Sequence, residues 1–225
     1  MKFSLPSTLL AAVLTASTAM AAELESLDAQ FNYLIGYNVG QQLKQEGIEF
    51  TEDAFVQAIK DAQAGTPRKI DQQQAQEVAK ALRAKREQMR AELSETNARE
   101  GKAFLKKNRG EKGVKVTDSG LQYRVVEPGS GDKPKATDTV VVHYRGTLVD
   151  GTEFDSSYSR GEPATFPVNG VIKGWQEALQ LMNSGAKWKL FIPSDLAYGE
   201  RGGGPTIGPN AALVFDVELI EIKAN

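Results

Sequence analysis

Val171-Ile172-Lys173-Gly174-Trp175-Gln176-Glu177-Ala178-Leu179 is the stretch on which the fold turns. Trp175, Leu179 and Met182 stand at i, i+4 and i+7, with Ala178 and Leu181 beside them. About two turns of helix can therefore bury one side, and Gly185 is the expected stop. Segments rich in β-branched and aromatic residues lie on both sides of this helix in sequence. The pattern predicts a sheet wrapped across a single short helix, with Trp175 where the sheet opens. The plainer reading is that Trp175 is core and nothing more.

Working outward from that helix, the period is two. Leu121, Tyr123 and Val125 alternate, and Pro128-Gly129-Ser130-Gly131 marks a turn. Val140, Val142 and Tyr144 share one strand face, and Asp150-Gly151 before Glu153-Phe154 predicts a hairpin. Trp188, Leu190 and Ile192 alternate up to Pro193, and Leu213, Phe215, Val217 and Leu219 form the last strand. Between these two lies a long loop, Ser194 to Pro209, containing Gly202-Gly203-Gly204-Pro205; long loops in compact domains tend to be functional.

Before Gly110 the period is helical. Leu27, Phe31 and Leu34 form one stripe of a first helix, with Ile35 and Val39 beside it, and Gly36 and Gly40 stack four apart. Thr51 is an N-cap candidate for a second helix whose buried side is Phe55, Ile59 and Ala62, ended by Gly65 and Pro67. A third helix is predicted from Asp71 to about Asn108, with a weak point at Gly101. Its apolar positions are sparse and its charges mixed, which reads as a solvent-exposed connector, with a membrane-surface role as the competing view. The first two helices are too small to bury a good core alone. The expectation is that residues 22–70 pair with a second copy while the helix of residues 71–112 holds the C-terminal domain away from that dimer.

Composition excludes several classes of function. There is no cysteine, hence no disulfide framework, thiol nucleophile or thiolate metal site. A single histidine, His143, leaves no histidine cluster for a metal and no Ser-His-Asp triad, and one position from Tyr144 it points to the opposite face of its strand. With 27 basic and 29 acidic side chains the net charge is -2, which carries no bias toward nucleic acid or anionic membranes. Met1-Lys2, an apolar run from Leu9 to Leu14 and Ala19-Met20-Ala21 read as a secretory signal peptide over residues 1–21, too short an apolar run to span a bilayer.

Five motifs in order carry a resemblance. Val142-His143-Tyr144-Arg145-Gly146, Asp150-Gly151-Thr152-Glu153-Phe154-Asp155-Ser156-Ser157, Val171-Ile172-Lys173-Gly174-Trp175, Leu196-Ala197-Tyr198-Gly199 and Leu213-Val214-Phe215-Asp216-Val217-Glu218-Leu219 resemble the FKBP family of peptidyl-prolyl isomerases. The likeness covers residues 113–225. The helical half, including Tyr33 to Gly40, is similar to the N-terminal domain of the bacterial Mip-type members, which dimerise and stand on a long helix. The resemblance implies an α+β protein: a helical dimerisation domain (22–70), a connecting helix (71–112), and a twisted antiparallel sheet around a short helix (113–225).

For the site, the resemblance implies Trp175 as the floor of a pocket and Tyr144, Phe154, Val171, Ile172, Tyr198 and Phe215 as its walls. Asp155 matches the family's pocket carboxylate, and Tyr198 the tyrosine whose hydroxyl bonds the ligand's carbonyl. Ile207 is matched across a Gly-rich loop of different length and sequence, and Ala164 stands where many eukaryotic members carry an aromatic. Both departures bear on substrate preference.

The chemistry stands without the family name. Turning an X-Pro bond means losing amide resonance over a barrier of roughly 18 to 20 kcal/mol. No bond is made or broken, so the catalyst needs no nucleophile, metal or cofactor, only a dry apolar pocket that prefers the twisted amide. Plainer readings stay beside this: Asp155 as a turn or helix-cap residue, and Phe215 as core only. Glycines 202–204 make no phosphate cradle, since no Lys-Ser/Thr follows, and no pair of carboxylates is singled out for a glycosidase. The expected function is an exported, periplasmic, homodimeric prolyl isomerase acting on unfolded, proline-containing chains, with macrolide binding as an implied property. The alternative is a dimeric holdase that clasps unfolded chains by avidity, isomerisation being incidental.

Overall fold

The computed structural model describes residues 24–223; the signal peptide expected over residues 1–21 lies outside them. The described residues divide into two compact units, with the boundary between Asp71 and Gln72.

In the first unit, α1 (Leu27–Gln45) begins where the Ser26 hydroxyl accepts from Ala29 N–H at 3.1 Å. It ends in a Schellman turn: Gly47 takes φ +60°, its N–H reaches Lys44 O, and Ile48 N–H reaches Leu43 O. The helix α2 (Glu52–Gln63) ends the same way on Gly65, with Gly65 N–H on Ala62 O and Thr66 N–H on Asp61 O. Thr51 takes the N-cap position but its side chain makes no capping bond. Neither helix has a buried residue: Leu27 is 83% exposed and Phe31 64%. The side of α2 expected to be buried is open too, with Ile59 exposed.

The second unit begins with α3 (Gln72–Asn108), 37 residues in one run, on the order of 55 Å at about 1.5 Å per residue. The weak point anticipated at Gly101 is no break. Gly101 is buried, and a Cβ there would come 3.0 Å from the Ala212 Cβ, so this glycine is a close-approach point. The expectation of a solvent-exposed connector is corrected over its C-terminal turns. Phe104 packs on Phe191, their ring centroids 5.9 Å apart, and buried Asn108 donates to Gln122, whose amide donates to Leu105 O. Sparse apolar periodicity hides this face because much of its docking is polar.

Among the described residues seven antiparallel strands follow: β1 (Val114–Val116), β2 (Gln122–Glu127), β3 (Thr139–Leu148), β4 (Glu153–Ser156), β5 (Ala164–Pro167), β6 (Lys187–Ile192) and β7 (Leu213–Lys223). Their order is β1-β2-β6-β7-β3-β4, with β5 also on β3. The short β1 and β5 have no clear trace in the alternation. The concave face closes over α5 (Lys173–Leu181): Trp175, Ala178, Leu179 and Met182 are buried with Val140, Val142, Leu190, Ile192, Leu213, Val217 and Leu219. Full burial of each large aliphatic side chain is worth about 2 kcal/mol of transfer free energy.

Two details of α5 differ from expectation. It ends at Leu181, with Met182 already extended at its C-cap. Gly185 (φ +82°) instead shapes the following turn, where its N–H bonds Leu219 O. Leu181 lies on the outer side. Gly174 is required by packing, since a Cβ there would fall 2.5 Å from Ile192 Cγ2.

Candidate active site

The open end of the sheet holds a cavity of about 420 Å³ lined by Tyr144, Phe154, Asp155, Phe166, Gly170, Val171, Ile172, Trp175, Tyr198 and Phe215. Tyr144 comes from β3, Phe154 and Asp155 from β4, Phe166 from β5, Phe215 from β7 and Trp175 from the first turn of α5. Strand pairing converges on one residue, because Gly146 is opposite both Asp155 and Phe215. A Cβ at Gly146 would lie 2.7 Å from ring atoms of Phe154 and of Phe215, so the space above this glycine is taken by the two walls.

The Trp175 ring is met edge-on from three sides, by Tyr144 at 5.3 Å, Phe215 at 5.2 Å and Phe166 at 6.1 Å between centroids. Phe154 in turn stands edge-on to Phe215 at 5.5 Å. Such T-shaped pairs are favourable because ring edges are positive and faces negative. The result is an apolar cup. Trp175 Nε1 is buried and has no hydrogen-bond acceptor among the described residues.

One side of the cup is polar. The Tyr144 hydroxyl donates to Asp155 Oδ2 at 2.5 Å, Arg160 Nη1 donates to Asp155 Oδ1 at 2.6 Å, and Arg160 Nη2 donates to the Tyr144 oxygen at 2.9 Å. The guanidinium also lies over the Tyr144 ring, 5.6 Å from its centroid. Arg160 sits in α4 (Ser157–Arg160), capped by the Ser156 hydroxyl accepting from Ser159 N–H. The helix-cap role weighed for Asp155 therefore falls to Ser156. Burial pushes the Asp155 carboxyl up, but the bonds from Tyr144 and Arg160 outweigh it and hold the group below its ordinary value. Burial, then the bond to Asp155, pushes the Tyr144 phenol above its ordinary value. At neutral pH the trio is a carboxylate, a phenol and a guanidinium, each occupied with the others.

Tyr198 is different. It is 42% exposed, and its hydroxyl makes no hydrogen bond among the described residues. Ile207, matched across the Gly-rich loop, does not line the main cavity; it lines an adjoining hollow of about 360 Å³ that shares Phe154, Asp155 and Tyr198. His143 faces away, its Nδ1 2.9 Å from Ser157 Oγ and its ring stacked on Tyr158. Among the described residues no group of three or more His, Asp or Glu is placed to hold a metal.

Sequence reasoning missed Arg160, Phe166 and Gly146. Arg160, five residues after Asp155, carried a signal only if the one-turn helix between them had been foreseen. Phe166 lies two residues after Ala164 in the short strand β5, and only the pairing of β5 with β3 brings it to the cavity.

A curled antiparallel sheet holding an aromatic cup over one helix fits the class of FKBP-type peptidyl-prolyl isomerase domains. The chain belongs to the FKBP-type peptidyl-prolyl cis-trans isomerase family. The model of that family matches residues 131–220, and the model of the domain amino-terminal to it matches residues 28–125. The chain is 47% identical over 199 residues to the FKBP-type 22 kDa peptidyl-prolyl cis-trans isomerase of Escherichia coli, covering 88% of this chain and 97% of that protein. It is 43% identical to the outer membrane protein MIP of Legionella longbeachae, covering 93% and 94%. The crystal structure of FkpA from Escherichia coli superposes with a TM-score of 0.66 at 39% identity, covering 89% of this chain and 98% of that one. The α+β architecture and the isomerase activity read from the sequence agree with these relatives. They do not favour the holdase alternative.

Proposed function

We infer that this isomerase turns X-Pro bonds in proteins exported to the periplasm, acting as a homodimer, with the aromatic cup as its site. The observation that carries the reading of the site is the cup itself: the proline ring fits against Trp175, between Phe215, Phe166 and Tyr144. In this apolar setting the charge-separated resonance form that keeps the amide planar loses its solvation, and the twisted amide is favoured over either planar state. Tyr198, with its hydroxyl uncommitted, bonds the substrate carbonyl. Asp155 holds Tyr144 and Arg160 in place, so its role is to fix a wall. Val171, Ile172 and Phe154 exclude water, and Ile207 contacts the residue before proline from the adjoining hollow.

Residues 24–71 support the dimer. Leu27, Phe31, Leu34, Ile35, Phe50 and Ile59 are exposed, and two helices without a buried residue need a partner for their apolar stripe. The signal-like residues 1–21 support export, and the name of the Legionella relative places that protein at the outer membrane. The described residues include no helix long and apolar enough to cross a membrane.

The test is the cis/trans exchange rate of short X-Pro peptides with the mature chain and with Phe215→Ala. Acceleration that the variant loses supports the site. A folded wild type without acceleration sinks the reading.

A further inference from the structure

Tyr198 and Ile207 stand on a loop between β6 and β7 that is rich in glycine, with Gly199, Gly202 and Gly204 all at positive φ. The loop closes on itself. Gly203 N–H donates to Ile207 O at 2.8 Å, Ile207 N–H to Gly203 O at 3.2 Å, and Asn210 N–H to Gly199 O at 2.9 Å. Gly203 lies under Tyr198, because a Cβ there would touch the tyrosine ring at 3.0 Å. Whatever places this loop therefore places the Tyr198 ring.

What grips it from outside is the long helix. Arg90 Nη2 donates to Glu200 O and to Arg201 O, each at 2.9 Å. Asn97 Nδ2 donates to Pro209 O at 2.8 Å, and Asn210 Nδ2 donates to Ser94 Oγ at 2.8 Å. Residues 90, 94 and 97 are spaced by four and three, so they share one face of α3. Leu93 and Asn97 close over Gly208, where a Cβ would come within 2.9 Å of Leu93 Cδ2 and 2.8 Å of Asn97 Nδ2. Asn210 is the one non-glycine residue at positive φ among those described, at +55°. A backbone state of that kind persists where surrounding bonds hold it, and here its amide is tied to Gly199 and its side chain to α3.

We propose that Arg90, Ser94 and Asn97 of α3 are positioning residues for the isomerase site: they hold the Gly199–Asn210 loop, and through it set where Tyr198 meets the substrate. The inference rests on the isomerase reading above and adds to it a dependence of the pocket's outer wall on the long helix. None of the three lines the cavity. Arg90 acts through charge-assisted bonds to two successive carbonyls, the strongest of the set. With the bonds gone, the loop gains freedom that substrate binding must then remove, so KM rises while the floor formed by Trp175, Phe166 and Phe215 keeps kcat.

The experiment uses the mature, full chain carrying Arg90→Ala, Ser94→Ala and Asn97→Ala together, with kcat and KM measured separately on an X-Pro peptide. The expected result is a KM raised about tenfold or more, from several lost bonds, with kcat within about twofold. Amide NMR signals of residues 198–210 should move while those of β3 stay. A chain with Arg90→Lys and Ser94→Thr keeps a cation for the carbonyls and a hydroxyl for Asn210, and should return most of the KM. If the triple variant is not folded by circular dichroism, Ser94→Ala alone carries the test, with a KM rise of about threefold. Wild-type KM in the folded triple variant, or in Ser94→Ala where that is used, overturns the proposal, as does an equal loss in the conservative chain. An inactive wild type overturns the isomerase reading itself.

Discussion

The Tyr144 phenol on β3 and the Asp155 carboxylate on β4 share a 2.5 Å hydrogen bond, and Arg160 closes the pair by bonding both. The only hydroxyl proton of Tyr144 is thereby spent on Asp155. An Asp155→Asn chain keeps the shape and loses the charge that holds Arg160. Bonds to charged groups carry about 1.5 to 3 kcal/mol, so kcat/KM should fall about ten- to a hundredfold. Peptide exchange kinetics check this. Loss of the same size in Tyr144→Phe would show that the pair acts as one unit.

The pH dependence follows from the same pair. The folded Asp155 carboxyl lies below its unfolded value of about 3.9. Its contribution to stability is therefore present above that value and is lost as pH falls through the folded one. Tyr144 is raised above its ordinary value of about 10, so its contribution is complete below that and lost as pH climbs through the folded value. Between about pH 5 and pH 9 neither group changes charge, and a kcat/KM profile recorded across that range should be flat. A titration near neutrality that disappears in Asp155→Asn would refute this assignment.

Phe215→Ala should act on stability and on activity together, because one ring is both core and wall. It is 5% exposed and edge-on to Trp175 and Phe154. Removal of a buried phenylalanine costs about 3 to 5 kcal/mol. Thermal unfolding should show that loss, and peptide exchange should return close to the uncatalysed rate even where the chain is fully folded.

Gly146→Ala should cost less stability than activity. The added methyl meets two ring edges at 2.7 Å, and overpacking of this kind costs about 1 to 3 kcal/mol. Both rings line the cavity, so their displacement alters its shape, and kcat/KM should drop at a temperature where circular dichroism still reports a native sheet.

For the dimer, Phe31→Glu with Leu34→Glu places two charges on the exposed stripe of α1. Sedimentation velocity should show the wild type as a dimer and this chain as a monomer, while the rate on short peptides, which need only one cup, stays within about twofold; the avidity of linked sites is what separation removes. A wild type sedimenting as a monomer would end the dimer proposal.

Gly65 as the end of α2 and the alternating faces of β3, β6 and β7 were each readable because they obey a local period or a local backbone need. So was the buried stripe of α5, down to Trp175, though its end was misjudged: Met182 turns extended before any glycine is reached. Eight of the nine site residues that the resemblance to the FKBP family implied line one cavity.

By itself, then, the sequence determined the two-part α+β plan and the helix under the sheet, because those follow from periodicity, and it reached most of the cup through short motifs that resemble a known family. Tertiary structure alone decided that Arg160 joins Tyr144 and Asp155, that Phe166 supplies the aromatic wall, and that α3 grips the loop of Tyr198. The last of these joins residues 110 to 116 positions apart. A hydrogen bond from a helix side chain to a loop carbonyl leaves no repeat in the sequence. Its acceptor is backbone, which every residue carries, so only the folded chain shows which carbonyl is in reach.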